Sequence, residues 1–499
     1  MDKYFPIIGL EIHVELKTKS KMFCFCKNDS QEKRPNANIC PICLGYPGTL
    51  PTINEEAVKK VLKVGRALHC KIPKISFFER KNYFYPDLPK GYQISQYRAP
   101  LCTDGYLEIS VSNLKSQNSK FKKIRIRRIH LEEDTARLLH EKNYSLVDFN
   151  RAGIPLMELV TEPDLRSAKE ARQFGEKFRT LLRYLDVSDA DMEKGQMRIE
   201  ANISLTQNSK LKSQKLGTKV EIKNLNSFRE LERAIEFEIE RQKEILRSGR
   251  KVIQETRGWD DVRGMTFPQR EKEEAYDYRY FPEPDLPPLD LGEFLSKIIL
   301  VLPELPDQKI QRYQREFFIS QKEAEILVKD KELSDFFENA AGELEIWMEG
   351  ENFPQDQKVK LYQTALHLVL SDIKGILGSA KIDPSEMRLT SGNFAKLIIL
   401  LWNGKITMKV AKDLLERMIF HGGDPTQIIE SEKLTQVANL EEIEKIVKEV
   451  IFENPKAVED YKEGKAQAIH FLFGKAMEKT KGKLNPQLLK QILERELKG

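Results

Sequence analysis

Gly9-Leu-Glu-Ile-His-Val-Glu-Leu16 places Glu11, His13 and Glu15 on one side of an alternating pattern and Leu10, Ile12, Val14 and Leu16 on the other. Period two is the signature of a half-buried strand. Same-face side chains would then stand about 7 Å apart at ~3.3 Å rise per residue. Carboxylate, imidazole, carboxylate in a row can bind a metal; the same row also suits a solvated strand face, the commoner case for one strand alone. Three further stretches repeat the pattern. Met197–Leu205 puts Arg198, Glu200, Asn202 and Ser204 on its polar side, and Lys219–Lys223 holds Glu221 between two lysines. Ile124–Asp134 runs from a basic alternating strand into Glu132, Glu133 and Asp134. Carboxylates with a histidine and no sulfur suit Mg²⁺ or Mn²⁺. The neighbouring Arg125, Arg127, Arg128, Arg198, Lys219 and Lys223 suit a phosphate bound beside such a metal.

A second cluster is sulfur-based. Cys24, Cys26, Cys40 and Cys43 form a C-x-C followed by a C-x-x-C. Two close thiolate pairs suit a tetrahedral zinc site, and a closed four-cysteine site is structural. Cys70 and Cys102 read as small core residues. A third candidate is the Arg80–Tyr97 stretch, with four tyrosines, two prolines and few aliphatics. It reads as neither a good helix nor a regular strand. It is either an ordered surface loop or a binding wall, in which Lys81, Tyr83, Tyr85, Lys90, Tyr92 and Gln96 supply stacking surfaces and hydrogen-bond donors.

The elements that must position these groups are legible in outline. Four strands with acids on their polar faces predict an antiparallel sheet with one core face and one working face. A helix is expected after Asn54 as N-cap, one after Ser167 with Glu170 as a capping box, and one after Ser227 with Glu230 that stops near Gly249. The apolar run within Asp148–Asp164 reads as a buried strand ending at Pro163. Proline-rich Phe281–Leu289 reads as a boundary. Beyond about residue 295 strand alternation gives way to helical spacing, with a break near Asn403-Gly404 and a last helix opened by Asn485 and Pro486. The expected division is therefore 1–295, 296–404 and 405–499.

At 499 residues with 40% hydrophobic content the chain is an ordinary globular protein of more than one domain. A net charge of +5 permits a nucleic-acid partner without proving one. Residues 461–499 hold nine Lys/Arg against four Asp/Glu, a modest basic tail that could track a phosphate backbone or be a solvated face. The apolar run Leu397–Trp402 is far too short to span a bilayer, and no signal pattern opens the sequence, so a cytoplasmic location is expected. There is no G-x-x-x-x-G-K-[ST] loop, no G-x-G-x-x-G and no G-x-S-x-G elbow. Any nucleotide must then be held by metal and side chains on the sheet, and no serine nucleophile is evident to release ammonia from glutamine.

Over nearly its whole length the sequence resembles the B subunits of the aspartyl/glutamyl-tRNA(Asn/Gln) amidotransferases. The motifs that carry the resemblance are residues 9–16, the Arg80–Tyr97 loop, His130–Asp134, Asp148–Asp164, Glu200–Ser204, Lys223–Ser227 and Asp277–Asp285. The resemblance implies an α+β protein: an antiparallel-sheet catalytic domain like that of glutamine synthetase, then a helical domain and a small helical tail domain that grips tRNA. It implies an ATP-dependent ligase that phosphorylates the side-chain carboxylate of Glu-tRNA(Gln) or Asp-tRNA(Asn). Ammonia from an amidase (A) subunit then displaces the phosphate, and a small C subunit completes the complex. By position it implies Mg²⁺ ligands at Glu11, His13, Glu132, Glu133, Glu200 and Glu221, catalytic roles for Glu133, Glu11 and His13, and Zn²⁺ on Cys24, Cys26, Cys40 and Cys43. Many relatives carry Asp where this chain has Glu200. Substrate contacts are expected from Lys81, Tyr83, Tyr85, Lys90, Tyr92, Gln96 and Arg198. Two rival classes are a non-catalytic zinc-containing tRNA-binding protein, which needs no acids on the strand faces, and a free-standing carboxylate–amine ligase, which needs no tRNA.

Overall fold

The computed structural model describes residues 4–111, 120–207, 217–271, 278–298, 300–350, 353–432, 434, 440–465, 467–480 and 482–498. Asp277, the first residue of the 277–285 motif, lies outside them. The chain divides into two compact units, 1–306 and 307–499.

The first unit is built on an eight-stranded sheet. From edge to edge it runs Met265–Glu271, Glu255–Asp260, Val220–Lys223, Met197–Thr206, Phe5–Glu15, Pro155–Thr161, Lys120–Glu133 and Cys102–Val111. Neighbours are antiparallel except Val220–Lys223 with Glu255–Asp260, which are parallel because the helix Phe228–Arg247 carries the chain across between them. The predicted alternation is realised: Leu10, Ile12 and Val14 are buried at 0–1% exposure, as are Ile199, Ala201 and Ile203.

Three longer helices pack into this unit's core, to which the short helix Leu291–Lys297 adds the buried Leu291. Glu55–Ala67 starts where Asn54 accepts the Ala57 amide. Ala168–Tyr184 and Phe228–Arg247 start where Ser167 and Ser227 accept the amides of Glu170 and Glu230. The expected reciprocal half of each capping box is displaced by one residue: Glu170 and Glu230 accept from the amides of Arg166 and Asn226. Gly175 lets the two longer helices approach, since a Cβ there would lie 2.8 Å from the Phe228 ring and 3.1 Å from Ile199.

The Arg80–Tyr97 stretch differs from its reading as irregular. Glu79–Asn82 and Tyr92–Ser95 pair antiparallel, and Phe281–Pro282 adds to Glu79–Asn82 as a third short strand. Only the turn between them carries the prolines and Gly91, so the composition of the turn masked two four-residue arms. The second unit is described by helices. Its buried residues include Tyr313, Phe337 and Phe394, and Ile443, Val447, Leu472, Leu489 and Leu493 form a further cluster. Asn485 accepts the amides of Gln487 and Leu488 at the start of Pro486–Lys498, as the Asn-Pro pair predicts. No helix among the described residues is long and apolar enough to cross a membrane.

Candidate active site on the acidic sheet face

The face opposite the apolar residues gathers charge from five adjacent strands through register alone. Glu11 pairs across from Glu200, His13 across from Arg198 and from Glu158, and Glu158 across from His130. Glu221 pairs with Asn202, two residues from Glu200. The His13 imidazole Nε2 lies 3.3 Å from Glu158, 3.7 Å from Glu132 and 4.0 Å from Glu11. His130 Nε2 lies 3.5 Å from Glu158 and 3.7 Å from Glu132. Three ligand-competent groups result, Glu11–His13–Glu158, His130–Glu132–Glu158 and Glu11–Glu200–Glu221, each with one donor atom per residue all within 4.8 Å.

The electrostatics are those of a site short of positive charge. Burial, then Glu158 and Glu200, push the Glu11 carboxyl up to about 7. Burial opposes a charge on His13, but the hydrogen bond and charge of Glu158, with Glu132 and Glu200, outweigh it and hold the imidazolium up to about 9. Burial also disfavours the Glu158 carboxylate, yet His130 and His13 keep it well below the usual range. Lys223 donates to Glu200 at 2.9 Å, and Thr256 to Glu221 at 2.8 Å. Asn202 Oδ1 is buried without a hydrogen-bond partner among the described residues, while Glu158 Oε1 faces the Arg128 guanidinium at 3.5 Å and Glu200 Oε2 the Lys223 ammonium at 2.9 Å. Hard oxygen donors converging in this way fit a divalent cation.

Of the residues predicted from sequence, the structure brings together Glu11, His13, Glu132, Glu200 and Glu221. Glu133, one residue on, alternates to the other side of its strand. Its carboxylate accepts from the Lys90 ammonium at 2.6 Å and from the Ile94 amide at 2.9 Å. It borders a cavity of about 230 Å³ whose lining includes Cys24, Cys43, Lys90, Tyr92 and Gly153. Lys81 stands with Tyr83 and Tyr278, 5.7 and 5.0 Å from their ring centres; burial opposes its charge, and Glu132, Tyr280, Tyr83 and Glu158 raise its pKa. Tyr92 lies under the Arg80 guanidinium at 4.3 Å. Tyr85 is exposed at the turn. Gln96 is buried framework, donating to Ser76 and accepting from the Leu131 amide. Arg198 is engaged by both oxygens of Asp134 at 2.9 Å.

Sequence reasoning passed over Glu158, His130, Tyr278 and Tyr280. Glu158 was readable as the lone carboxylate in the apolar strand Pro155–Thr161, since a charge in a buried strand must find partners. His130 shares the parity of Glu132. The two tyrosines join Lys81 only through folding, from almost two hundred residues away.

The four cysteine sulfurs also lie within 4.8 Å of one another and form no disulfide. Cys43 Sγ accepts the Cys40 amide at 3.1 Å. The hydrogen bond from Cys24 lowers the Cys43 thiol to about 5, against its burial and with help from Lys21. Four converging thiols, one of them acidic, fit a soft, tetrahedral metal.

Comparison with known proteins gives this arrangement its class. Residues 6–297 match the family described as the GatB/GatE catalytic domain, and residues 356–497 match the GatB domain. The acid-lined sheet is thus a catalytic domain, and the helical unit carries the companion domain. The chain is 46% identical to the B subunit of the aspartyl/glutamyl-tRNA(Asn/Gln) amidotransferase of Thermotoga maritima over 504 aligned residues, covering 100% of both chains. It is 46% identical to the corresponding protein of Persephonella marina over 99% of each chain, and 45% identical to that of Dehalococcoides mccartyi over 100% of this chain and 99% of the relative. This chain belongs to the family of aspartyl/glutamyl-tRNA(Asn/Gln) amidotransferase B subunits.

Proposed function

We propose that this chain carries the kinase and transamidase site for ATP-dependent conversion of Glu-tRNA(Gln), Asp-tRNA(Asn) or both to Gln-tRNA(Gln) and Asn-tRNA(Asn). The observation that carries this reading is the carboxylate and imidazole group Glu11, His13, Glu132, Glu158, Glu200 and Glu221 on one sheet face. Those residues would hold Mg²⁺ or Mn²⁺, which when bound offsets charge on the phosphate oxygens of ATP. The γ-phosphoryl group passes to the side-chain carboxylate of the aminoacyl-tRNA, and ammonia then attacks that carbonyl as phosphate leaves. Glu11 and His13 serve the phosphoryl-transfer face. Glu133, oriented by Lys90 and the Ile94 amide, is the catalytic carboxylate on the other side of its strand.

Lys81, Tyr83, Tyr92 and the exposed Tyr85 form the wall for the aminoacyl end of the tRNA, with Lys90 and Gln96 ordering it. Arg198, held by Asp134, faces phosphate. Cys24, Cys26, Cys40 and Cys43 would hold a structural zinc that pins a loop with little core of its own. The helical part divides near residue 404 into a helical domain, 296–404, and a tRNA-gripping tail, 405–499. The partners are the amidase (A) and small C subunits in the cytoplasm.

The test uses the complex with its A and C partners, Glu-tRNA(Gln), ATP, Mg²⁺ and ammonium chloride in place of glutamine. Wild type is expected to form Gln-tRNA. Glu133→Gln is expected to lose about 10²-fold or more of that rate, the scale for removing one preorganised catalytic group. Equal rates would remove Glu133 as the catalytic carboxylate, and a wild type that binds the tRNA but forms no Gln-tRNA would favour a non-catalytic tRNA-binding protein. Product formed without tRNA would favour a free-standing ligase. For the tyrosine wall, Tyr83→Ala and Tyr92→Ala are expected to raise KM for aminoacyl-tRNA well beyond any change in KM for ATP, since stacking is worth about 1–3 kcal/mol per base. Equal changes in both constants would remove the tyrosines from the substrate wall.

A further inference from the structure

We propose that Lys21 is the positioning residue of the four-cysteine cluster, a buried ammonium that counters the thiolate charge and ties the cluster to the turn beneath Glu133. The inference rests on the zinc reading above and adds to it the residue that makes such a site tolerable in this place.

Lys21 is among the largest fully buried side chains of the chain, at 1% exposure. A buried lysine needs a partner anion. Among the described residues its Nζ has two hydrogen-bond partners: Cys43 Sγ at 3.9 Å and the Phe149 carbonyl oxygen, to which it donates at 3.2 Å. Among the described residues it forms no ion pair with a carboxylate, whereas nearby Lys90 pairs with Glu133. The anion facing Lys21 is therefore sulfur. Four thiolates on one Zn²⁺ leave a net charge of −2. One buried ammonium at that distance halves the excess without becoming a ligand.

The carbonyl end of the same side chain gives it a second function. Phe149 belongs to the turn that leads to Gly153, whose φ of +83° is a left-handed conformation. A Cβ on Gly153 would lie 3.5 Å from the Cys43 Cβ, 3.6 Å from the Lys21 Cδ and 4.0 Å from Glu133 Oε2. Cluster, lysine and catalytic carboxylate thus meet around one glycine. The backbone reinforces the junction: the Met22 amide donates to the Gly153 carbonyl at 2.7 Å, the Lys21 amide to the Cys26 carbonyl at 2.9 Å, and the Gly153 amide to the Asp134 carbonyl at 2.9 Å. Losing the ammonium removes both the countercharge and the clamp.

The experiment titrates the metal-free full chain with Zn²⁺ against a chromophoric chelator, and with Co²⁺ while following its thiolate charge-transfer band. Lys21→Met keeps the stem and removes the charge. It is expected to weaken Zn²⁺ binding about 10- to 100-fold, the range for partners of metal ligands. Lys21→Arg keeps the charge and is expected to stay within about threefold of wild type, taking that fraction of the same scale. Thermal unfolding of the metal-free variants confirms that they fold; if Lys21→Met does not, Lys21→Gln takes its place. Zinc affinity equal to wild type in the neutral variant overturns the Lys21 assignment and leaves the zinc site standing. Equal losses in the Met and Arg variants also overturn it, since packing rather than charge would be responsible. A wild type that binds no zinc with all four thiols reduced overturns the four-cysteine reading, and this inference with it.

Discussion

Glu158→Gln should cost the complex at least about 10²-fold in ammonia-dependent Gln-tRNA formation and weaken Mn²⁺ binding by about 10²-fold. The substitution is nearly isosteric, so the loss is one of charge. Glu158 lies between His13 and His130, 3.3 and 3.5 Å from their Nε2 atoms, and 3.5 Å from Arg128. It belongs to two of the three ligand-competent groups on the sheet face. Removing one member of a buried charge set leaves its partners less well compensated, which is the expensive kind of change.

The same variant has a signature in the metal-free protein. Burial resists protonation of His13, and Glu158 is the first group that overcomes this, so His13 should titrate below the wild-type value of about 9. A raised histidine pKa contributes stability that is fully present below its unfolded value of 6.5 and lost as pH rises through about 9. Glu11, raised from 4.5 to about 7 by burial and then by Glu158 and Glu200, adds a loss in the same direction over its own range. Metal-free wild type should therefore lose thermal stability steadily from mildly acidic to alkaline pH, and Glu158→Gln should flatten that slope. NMR titration of His13 and unfolding at several pH values check this. An unchanged Mn²⁺ affinity in the folded variant would remove Glu158 from the site.

The largest effect on stability is expected from Phe178→Ala. Phe178 is 0% exposed in the helix Ala168–Tyr184, with its ring 6.3 Å from that of Phe174. Truncating a fully buried phenylalanine leaves a cavity and costs about 3–5 kcal/mol. At ~1.6 °C per kcal/mol for a unit of about 300 residues, the midpoint of the transition containing the sheet should fall by about 5–8 °C. Calorimetry of the metal-free chain measures it. A fall of a degree or two would mean that the helix does not pack on the sheet as described.

Glu158 also marks the limit of what sequence reading reaches, whereas the inward place of Phe178 follows from helical spacing after Ser167. Alternation along residues 9–16 and 197–205 determined which side of each strand is core and which is polar, because successive side chains of a strand must point to opposite faces. Helix starts at Asn54, Ser167 and Ser227 were determined by cap chemistry, which is local. The C-x-C and C-x-x-C spacing determined that four thiols would converge. Only the tertiary structure decided which polar faces meet. Sheet order places the Glu158 strand between those of His13 and His130, and no local pattern encodes strand order. Parity alone would have parted Glu133 from Glu132, but its engagement by Lys90 and the Ile94 amide depends on how a short distant strand lies against it. Gln96, with the composition of a binding residue, became framework because the Leu131 amide and Ser76 lay within its reach. Local chemistry is carried by neighbours in sequence, and the site is assembled by register between strands that the chain brings together only on folding.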